Sequence, residues 1–473
     1  MTPRPAPALT RREFLGRSAA ASLGTGLAWA GAPTLWAQSA GDRPVRDGSV
    51  AVLNPRDRVP VSIIIDDSTC LVNLNRFAMP QFDEAFAGAN PSYKKPWRDW
   101  PSEIPDAFVR RFGTWAAEHG VKGKYSIVPQ PACVGRIDRL LPGWSGAELA
   151  ASIRCVQEVM MPNWDIHPEM ATHTRVLDLK TGHPYPEIST RWMENWEWTT
   201  GRSADEIADY MRYALNILKN VGLHCDGITT PGSFGNKALP QLAQATFQSV
   251  RDVFGTPVPH YFRHLYDKGE QSVAPRVEYA SGLDGPDPRC VVSIIGCTGD
   301  WTGGWDCSTP EGPDRFITAD LQSGRMVEII QRGEPALMLA HWTGVYWNGQ
   351  ELGFRILQTV VDRLHQRFQN LVWMKQSAIA TYWAARELTR LTRSGNSVRL
   401  DAPFSCPEFT LRFSAPAARR IQLDSNPAAG SAPRVLREVT NSSNLTEGTW
   451  HRAGESVTVC APLSRGQSKI SWS

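Results

Sequence analysis

The first strong apolar segment of the chain ends on two acidic residues. The stretch VSIIIDDSTC, from Val61 to Cys70, contains a run of β-branched residues that is typical of a buried strand. The run stops at Asp66 and Asp67, where a charge at the edge of a core is costly unless it has a partner. The pattern predicts a strand whose carboxyl end either begins an ordinary polar turn or places two carboxylates in a site.

Helical periodicity appears between Pro105 and His119. The apolar residues Phe108, Phe112 and Trp115 are spaced i, i+4, i+7, and Gly120 stops the pattern. Strand and helix signals then alternate along the chain. Further strands are predicted at GKYSIVP, CDGITTP, HYFRHLY, CVVSIIGC, PALMLAHW and NLVWMK, and further helices over 146–160, after the capping box SADE, and over 351–367.

The repeated alternation of strand, crossover helix and strand predicts an α/β fold with a parallel sheet. The length of this region favours a closed or nearly closed barrel. The pattern changes near residue 395, where short alternating runs separated by Gly, Ser, Pro and Asn turns continue to the end of the chain. We therefore expect a barrel over 58–393 and a small, separable, sandwich-like β module over 396–473 that carries no catalytic group.

The N-terminal residues predict an export signal. Residues 1–40 contain Arg11 and Arg12, followed by Phe14 and Leu15, a mildly apolar stretch and then small residues. This is the layout of a twin-arginine signal, and the apolar stretch is too short for a spanning helix. We expect a periplasmic or secreted protein with no stable membrane insertion. Export in the folded state suits a protein that acquires a metal ion beforehand.

Composition narrows the choice of partner. The net charge of +3 comes from the first 40 residues, which hold four Arg and one Glu, so the remainder of the 473-residue chain is neutral. A chain without net positive charge is not attracted electrostatically to nucleic acid. The 18 Trp, many in loop-like segments such as KPWRDWPSE, suit contact with sugar rings. The nine Cys include no CxxC pair, so no cysteine-ligated zinc site is expected.

Polar residues follow the predicted strands at their carboxyl ends, where reactive groups gather in α/β barrels. These positions are Asp66 and Asp67, Thr229 and Thr230, Asp300 and Trp301, and His341 and Trp342, with His173 in an intervening loop. One Asp and one His can hold a divalent ion, while the other Asp takes a proton from water and the other His protonates the leaving group. The pattern predicts a metal-assisted hydrolase.

The order of these motifs resembles that of the polysaccharide deacetylase family, the NodB homology domain, over roughly 60–391. IIDDS resembles the first motif, EMATHT the first half of the second, and LMLAH the fifth; TTPG echoes the third, and Asp300-Trp301 corresponds to the fourth. The resemblance implies a distorted seven-stranded β/α barrel. It also implies hydrolysis of an N-acetyl or ester group on a polysaccharide or oligosaccharide, with a divalent metal ion, Zn²⁺, as cofactor.

The resemblance also assigns roles to individual residues. Asp66 matches the base, Asp67 and His173 match metal ligands, and His341 matches the acid. The closing histidine suits proton donation because its ordinary pKa lies near neutrality.

Two positions depart from the family pattern. The second metal histidine falls on Leu177, and the arginine that steadies the base falls on Thr229. A metal ion held only by one Asp and one His is weakly bound, so a third ligand is required. The candidates from the sequence are Asp178 first and His167 second.

Other interpretations remain open at this stage. Thr230, Asp300, Trp301 and Trp342 are the expected substrate contacts, and His260 and His264, four apart in a strand, either reach the ion or belong to the core. A glycosidase on a related barrel would use paired carboxylates, with Asp66 and Asp300 as the pair. A glycan-binding protein that has lost the metal site is a third interpretation.

Overall fold

The computed structural model describes residues 43–45, 47–427 and 432–473. The predicted export signal, residues 1–40, lies outside the described residues. The strands are β1 Val50–Val52, β2 Val59–Asp66, β3 Gly123–Ile127, β4 Trp164–Pro168, β5 Leu177–Asp178, β6 His183–Pro184, β7 Gly227–Thr229, β8 His260–Leu265, β9 Arg276–Ser281, β10 Arg289–Gly296, β11 Ala336–His341, β12 Leu371–Trp373, β13 Arg390–Ser394, β14 Ser397–Ala402, β15 Cys406–Ser414, β16 Ile421–Asp424, β17 Arg434–Val439, β18 Thr449–Ala453, β19 Ser456–Leu463 and β20 Gly466–Trp472.

The α-helices are α1 Leu74–Ala85, α2 Asp106–Glu118, α3 Gly146–Cys155, α4 Ala204–Asn220, α5 Leu239–Phe254, α6 Arg325–Gln331, α7 Trp342–Tyr346, α8 Leu352–Arg367 and α9 Gln376–Leu388. The predicted capping box is confirmed, because the Ser203 side chain accepts from the Glu206 backbone at the start of α4. Within the described ranges, no helix is long and apolar enough to cross a membrane.

Two sheets with parallel strands form the main body. The first has the order β11-β2-β3-β4, with β12 paired to the start of β2, and all of its strands are parallel. The second has the order β7-β8-β10-β9, in which only β9 is antiparallel. A parallel bridge between Glu169, which follows β4, and Thr229 joins β4 to β7, and the backbone of Cys297, just after β10, donates to the carbonyl of Leu337 in β11. The two sheets therefore adjoin at both edges, and the expected α/β architecture is confirmed at this level.

Strand alternation divides the side chains of these sheets between two environments. On one face Ile63 and Ile65 of β2 and Trp164 of β4 pack in a core that includes helix residues such as Phe112. The opposite face points into the ring of strands and carries polar groups, among them Asp66, Lys124 and His167, all buried. The strands thus place charged side chains in the interior, where each requires an ion pair or hydrogen bonds to offset the cost of burial.

The C-terminal β module forms one nine-stranded sheet with the order β1-β15-β19-β18-β17-β16-β20-β14-β13. Phe413 of β15 and Trp472 of β20 stack with ring centroids 4.7 Å apart, so the two halves of the sheet face each other across a shared core. The sheet takes β1 from before the predicted barrel and β13 from before the predicted boundary at 393–396. The module is therefore built from both ends of the chain.

The module shares its core with the main body. Tyr382 of α9 donates to the Leu53 carbonyl, accepts from the Thr410 backbone, and lies 6.1 Å from the Phe409 ring. The same cluster contains Ile64 of β2 and Leu337 of β11. The C-terminal β module and the main body therefore bury apolar side chains in one continuous cluster.

We expect a chain that ends at Arg393 to lose its fold. The cut removes every partner of β1 and β13 and uncovers the apolar face of α9, so several fully buried side chains enter water at about 1.5–3 kcal/mol each. Circular dichroism and thermal melting test this. A cooperative transition at the temperature of the full chain would contradict the shared core.

Candidate metal and hydrolytic site

Three buried ligand-type side chains meet at the carboxyl ends of β2 and β4. The Nε2 atom of His173 lies 2.7 Å from Oδ1 of Asp67 and 3.3 Å from Oε1 of Glu169. The second oxygen of Glu169 accepts from the Asp67 backbone at 2.8 Å. All three side chains are buried, and their ligand atoms lie within 4.8 Å of one another. The structure thus joins the predicted Asp67 and His173 to a third donor, Glu169.

The backbone around this cluster is held in unusual conformations. Asp67, Met170 and His173 have φ values of 62°, 51° and 63°, in the left-handed region that non-glycine residues rarely occupy. Such strain persists where the surroundings impose it, and it clusters at functional sites. Here it turns both the Asp67 and the His173 side chains toward Glu169.

Glu194 fixes the loop that carries His173. Its carboxylate accepts from the backbone of Thr172 at 3.0 and 3.1 Å and of His173 at 2.6 Å, and from the Tyr210 hydroxyl. Burial raises the pKa of Glu194 to about 7, although these donors oppose the rise. Glu194 therefore acts as a positioning residue for the His173 imidazole, and no motif in the sequence predicts this role.

The electrostatics of the cluster favour a positive charge at its centre. Burial alone would lower the pKa of His173, but the facing Asp67 and Glu169 carboxylates outweigh it and raise the pKa to about 10. Two carboxylates directed at one imidazole nitrogen therefore attract a cation into this space.

Asp66 is paired with a buried lysine. Nζ of Lys124, on the neighbouring strand β3, forms an ion pair with Oδ1 of Asp66 and also donates to the Ile65 carbonyl at 3.1 Å and to the Ser126 hydroxyl at 2.8 Å. Burial and the nearby Glu169 raise the pKa of Asp66 to about 6, while Lys124 pulls in the opposite direction. The pKa of Asp66 therefore lies close to neutral pH, and the ammonium group of Lys124 holds the carboxylate in place.

His341 forms a second polar pair in the neighbouring strand. Its Nδ1 lies 2.6 Å from Oδ2 of Asp300, which also accepts from the His341 backbone at 3.0 Å. The other Asp300 oxygen accepts from Thr302, so the carboxylate is fixed on both sides. In the register of β11 and β2, His341 lies opposite Asp66. The two strands therefore end side by side, and a carboxylate that can accept a proton lies next to an imidazole that can donate one.

A cavity of about 340 Å³ opens beside this pair. Asp300 and His341 contribute to its wall, together with the indoles of Trp301 and Trp305. Trp301 packs on Phe316 at 4.8 Å, which holds the ring in place. The predicted Asp300 and Trp301 thus line a pocket next to His341, and Asp300 also orients that histidine.

Three other predicted residues lie elsewhere. Asp178 lies outside the cluster of Asp67, Glu169 and His173: it follows Leu177 in the two-residue strand β5, and its carboxylate accepts from the Lys180 backbone in an exposed turn. Trp342 does not face the cavity, because it comes one position after His341 and so packs on the helix side against Phe108, Phe112 and Tyr125. The Thr230 hydroxyl donates to the Phe262 carbonyl at 3.1 Å, which is a contact within the sheet.

His167 also lies outside the first cluster. Its Nε2 atom is 2.9 Å from Nε2 of His260, and the two histidines form a second buried group with Asp165. His264 is not part of either ligand group among the described residues. His260 therefore contacts His167, and it does not belong to the cluster that contains His173.

Sequence reasoning missed two residues that shape the site. Glu169 is the first residue of the motif EMATHT, and Lys124 lies in the strand GKYSIVP. A lysine at a buried position of a strand is itself a signal, because it requires an acidic partner nearby.

Comparisons with known proteins show no family. No family model matches the chain, and no curated protein matches it. A solved structure described as a candidate glycoside hydrolase/deacetylase from Parabacteroides distasonis is similar with a TM-score of 0.37 and 12% identity, covering 85% of this chain and 88% of that one.

Two further solved structures are glycoside hydrolases. A family 30 subfamily 8 xylanase from Clostridium acetobutylicum has a TM-score of 0.28 and 8% identity, over 78% of this chain and 93% of that one. Endo-glycoceramidase II from Rhodococcus sp. has a TM-score of 0.27 and 9% identity, over 91% of this chain and 100% of that one. Similarity at this level does not indicate a function for this chain.

Proposed function

We propose that this protein is an exported, metal-dependent carbohydrate hydrolase that removes N- or O-acetyl groups from a polysaccharide or oligosaccharide. One observation carries the proposal: the ligand cluster of Asp67, Glu169 and His173 adjoins Asp66, and Asp66 lies opposite the His341–Asp300 pair. Ligand, base and acid groups thus meet at the carboxyl ends of neighbouring strands. The parallel strands β2, β3, β4, β7, β8, β10 and β11 fit the distorted seven-stranded barrel that the motif resemblance implies.

The residues fit a divalent metal ion. Zn²⁺ binds both carboxylate oxygens and imidazole nitrogens, and catalytic zinc sites use three protein ligands and leave one coordination position open. Both carboxylates approach the same imidazole nitrogen, which places three donor atoms around one small volume. When bound there, such an ion polarises a carbonyl oxygen and makes water more acidic.

The chain's own groups supply the proton transfers. Asp66, fixed by Lys124, accepts a proton from the attacking water, and its pKa of about 6 keeps it ionised yet basic near neutrality. His341, fixed by Asp300, gives a proton to the departing amine or alcohol. The arrangement uses one general base and one general acid on adjacent strands.

The neighbouring cavity supports a sugar as the substrate. Its volume of about 340 Å³ holds a group of sugar size, and Trp301 and Trp305 lie in its wall, where aromatic side chains commonly contact sugar rings. Asp267 and Asp306 in the same wall provide acceptors for hydroxyl groups.

The glycosidase alternative is less well supported. A pair of catalytic carboxylates needs one carboxyl group that is free to protonate the leaving oxygen. Asp66 forms an ion pair with Lys124, and the Asp300 carboxylate accepts hydrogen bonds from His341 and Thr302. A purely glycan-binding protein does not require Glu169 in place of the absent histidine, nor Lys124 in place of the absent arginine.

The products of an acetylated oligosaccharide test the proposed reaction. We expect the Zn²⁺-loaded protein to release acetate without forming new reducing ends, and a chelator to stop the release. New reducing ends without acetate would support the glycosidase instead. Binding without either product would support the non-catalytic interpretation.

His341→Ala should lower turnover by about a hundredfold or more, the usual range for loss of a general acid. Metal content should not change, because His341 is not part of the ligand cluster. Asp300→Asn keeps the shape but removes the charge that orients the imidazole, so a smaller loss is expected. Acetate release and metal analysis on both variants check this. Loss of metal from His341→Ala would contradict the assignment.

A further inference from the structure

We propose that Asp165, His167 and His260 form a second, structural binding site for a transition-metal dication inside the ring of strands. The three side chains are buried and their ligand atoms lie within 4.8 Å of one another. Two imidazoles and one carboxylate are donors that suit Zn²⁺ and similar ions. This site is separate from the proposed hydrolytic centre and does not depend on it.

The strand β4 supplies donors to both places. Asp165 and His167 of β4 and Glu169, the residue just after it, occupy alternate positions and point to the same face, so Glu169 reaches the hydrolytic centre at the carboxyl end and Asp165 lies near the amino end. At the usual rise of a strand, the Cα atoms of these two residues lie about 13 Å apart, and their carboxylates belong to different ligand groups. One ion therefore cannot serve both groups.

The chain makes room for His260 at a specific glycine. His260 is on β8, and β7 lies between it and the β4 strand that carries His167. A Cβ on Gly227 of β7 would lie 2.7 Å from Nε2 of His260 and 2.6 Å from its carbonyl oxygen. A strand glycine of this kind marks a close approach. Here it lets the His260 imidazole reach across β7 to His167.

The facing nitrogens fit a shared cation. The two Nε2 atoms are 2.9 Å apart, and only one of them can carry a proton in a direct hydrogen bond. A tetrahedral ion with ordinary Zn–N bonds holds two such nitrogens about 3.3 Å apart, so a shift of about 0.4 Å admits it. The two histidine nitrogens are therefore already close to the positions that they would occupy around a bound Zn²⁺ ion.

Two of the three donors, Asp165 and His167, are also held by hydrogen bonds from behind, as metal ligands usually are. Both Asp165 oxygens accept from Ser377 at the start of α9, at 2.6 and 2.8 Å. Nδ1 of His167 lies 3.3 Å from the Thr229 hydroxyl. The nearby Lys124 ammonium is paired with Asp66, so its charge is compensated. An ion here would tie β4, β8 and α9 together.

Zinc content of the full chain, measured after saturation with Zn²⁺ and removal of excess, tests the site. We expect two ions in the wild type, one in His260→Ala, one in His173→Ala, and two in His224→Ala, a control that removes an exposed histidine outside both groups. The melting temperature of His173→Ala should still rise with Zn²⁺. Unchanged zinc content in His260→Ala would overturn the second site. A single ion lost only in His260→Ala would support this site and count against the hydrolytic metal centre.

A measurement on the wild type covers the case in which His260→Ala does not fold. In the Cu²⁺-loaded protein, pulsed electron paramagnetic resonance distinguishes copper bound to two imidazoles from copper bound to one. The second site requires a two-imidazole signal, since the hydrolytic cluster contains only His173. A signal from single-imidazole copper alone would overturn the proposal.

Discussion

Glu169→Gln is expected to lose the metal ion of the hydrolytic centre while Asp178→Asn keeps it. Glu169 directs one carboxylate oxygen at His173 Nε2 and accepts from the Asp67 backbone with the other. The amide keeps the shape but gives up the negative charge. Affinity should fall by more than about a hundredfold, beyond the effect of residues that only support a ligand.

Asp178→Asn is the matched control, because Asp178 is the acidic residue next to the position of the absent family histidine. Its carboxylate accepts from the Lys180 backbone in an exposed turn. Competition with a chromophoric chelator gives the affinity of each variant. Normal affinity in Glu169→Gln together with loss in Asp178→Asn would show that the ligand set is wrong.

Lys124→Met is expected to remove most of the activity and to lower the stability of the fold. The substitution leaves Asp66 buried without its counter-charge, which typically costs about 3–5 kcal/mol of unfolding free energy. Lys124 also lowers the pKa of Asp66, so its loss raises that pKa further above about 6. Asp66 is then protonated near neutrality and cannot act as the base, and turnover should fall by about a hundredfold or more.

The pH profile separates this effect from a general loss of structure. Asp66 must be ionised to work, so a higher pKa moves the acidic limb of the activity profile to higher pH, and activity should recover in part above pH 8. Lys122→Met is the control, since Lys122 lies two residues earlier and is only half-buried. A uniform decrease at every pH would contradict the positioning role of Lys124.

The sequence predicted the elements that carry clear periodicity. The strand ending at Asp66, helix α2 and the capping box of α4 all occur where the apolar pattern places them. It did not predict β4, whose alternation of Trp164 and Ile166 with polar residues ends in Pro168. The polar face of such a strand normally faces solvent, whereas here it points into the ring of strands.

The site was predicted in part for the same reason. Asp66, Asp67 and His341 follow apolar strands directly, so their position at one end of the sheet could be inferred from the chain. Lys124 and Glu169 meet them only through the pairing of β2, β3 and β4, which is a tertiary fact. Asp178 is adjacent in sequence to Leu177, the position of the family's second histidine, but it lies in the hairpin of β5 and β6, away from the cluster.

Anomalous diffraction at the zinc edge, from crystals of Zn²⁺-loaded protein, tests the central claim most directly. We predict a peak bounded by the carboxylates of Asp67 and Glu169 and by Nε2 of His173, with bonds of about 2.0–2.2 Å. Asp66 and His341 should line the open side of that ion. A zinc-saturated, catalytically active crystal with no peak there, and with His173 still in direct contact with Asp67, would contradict the account.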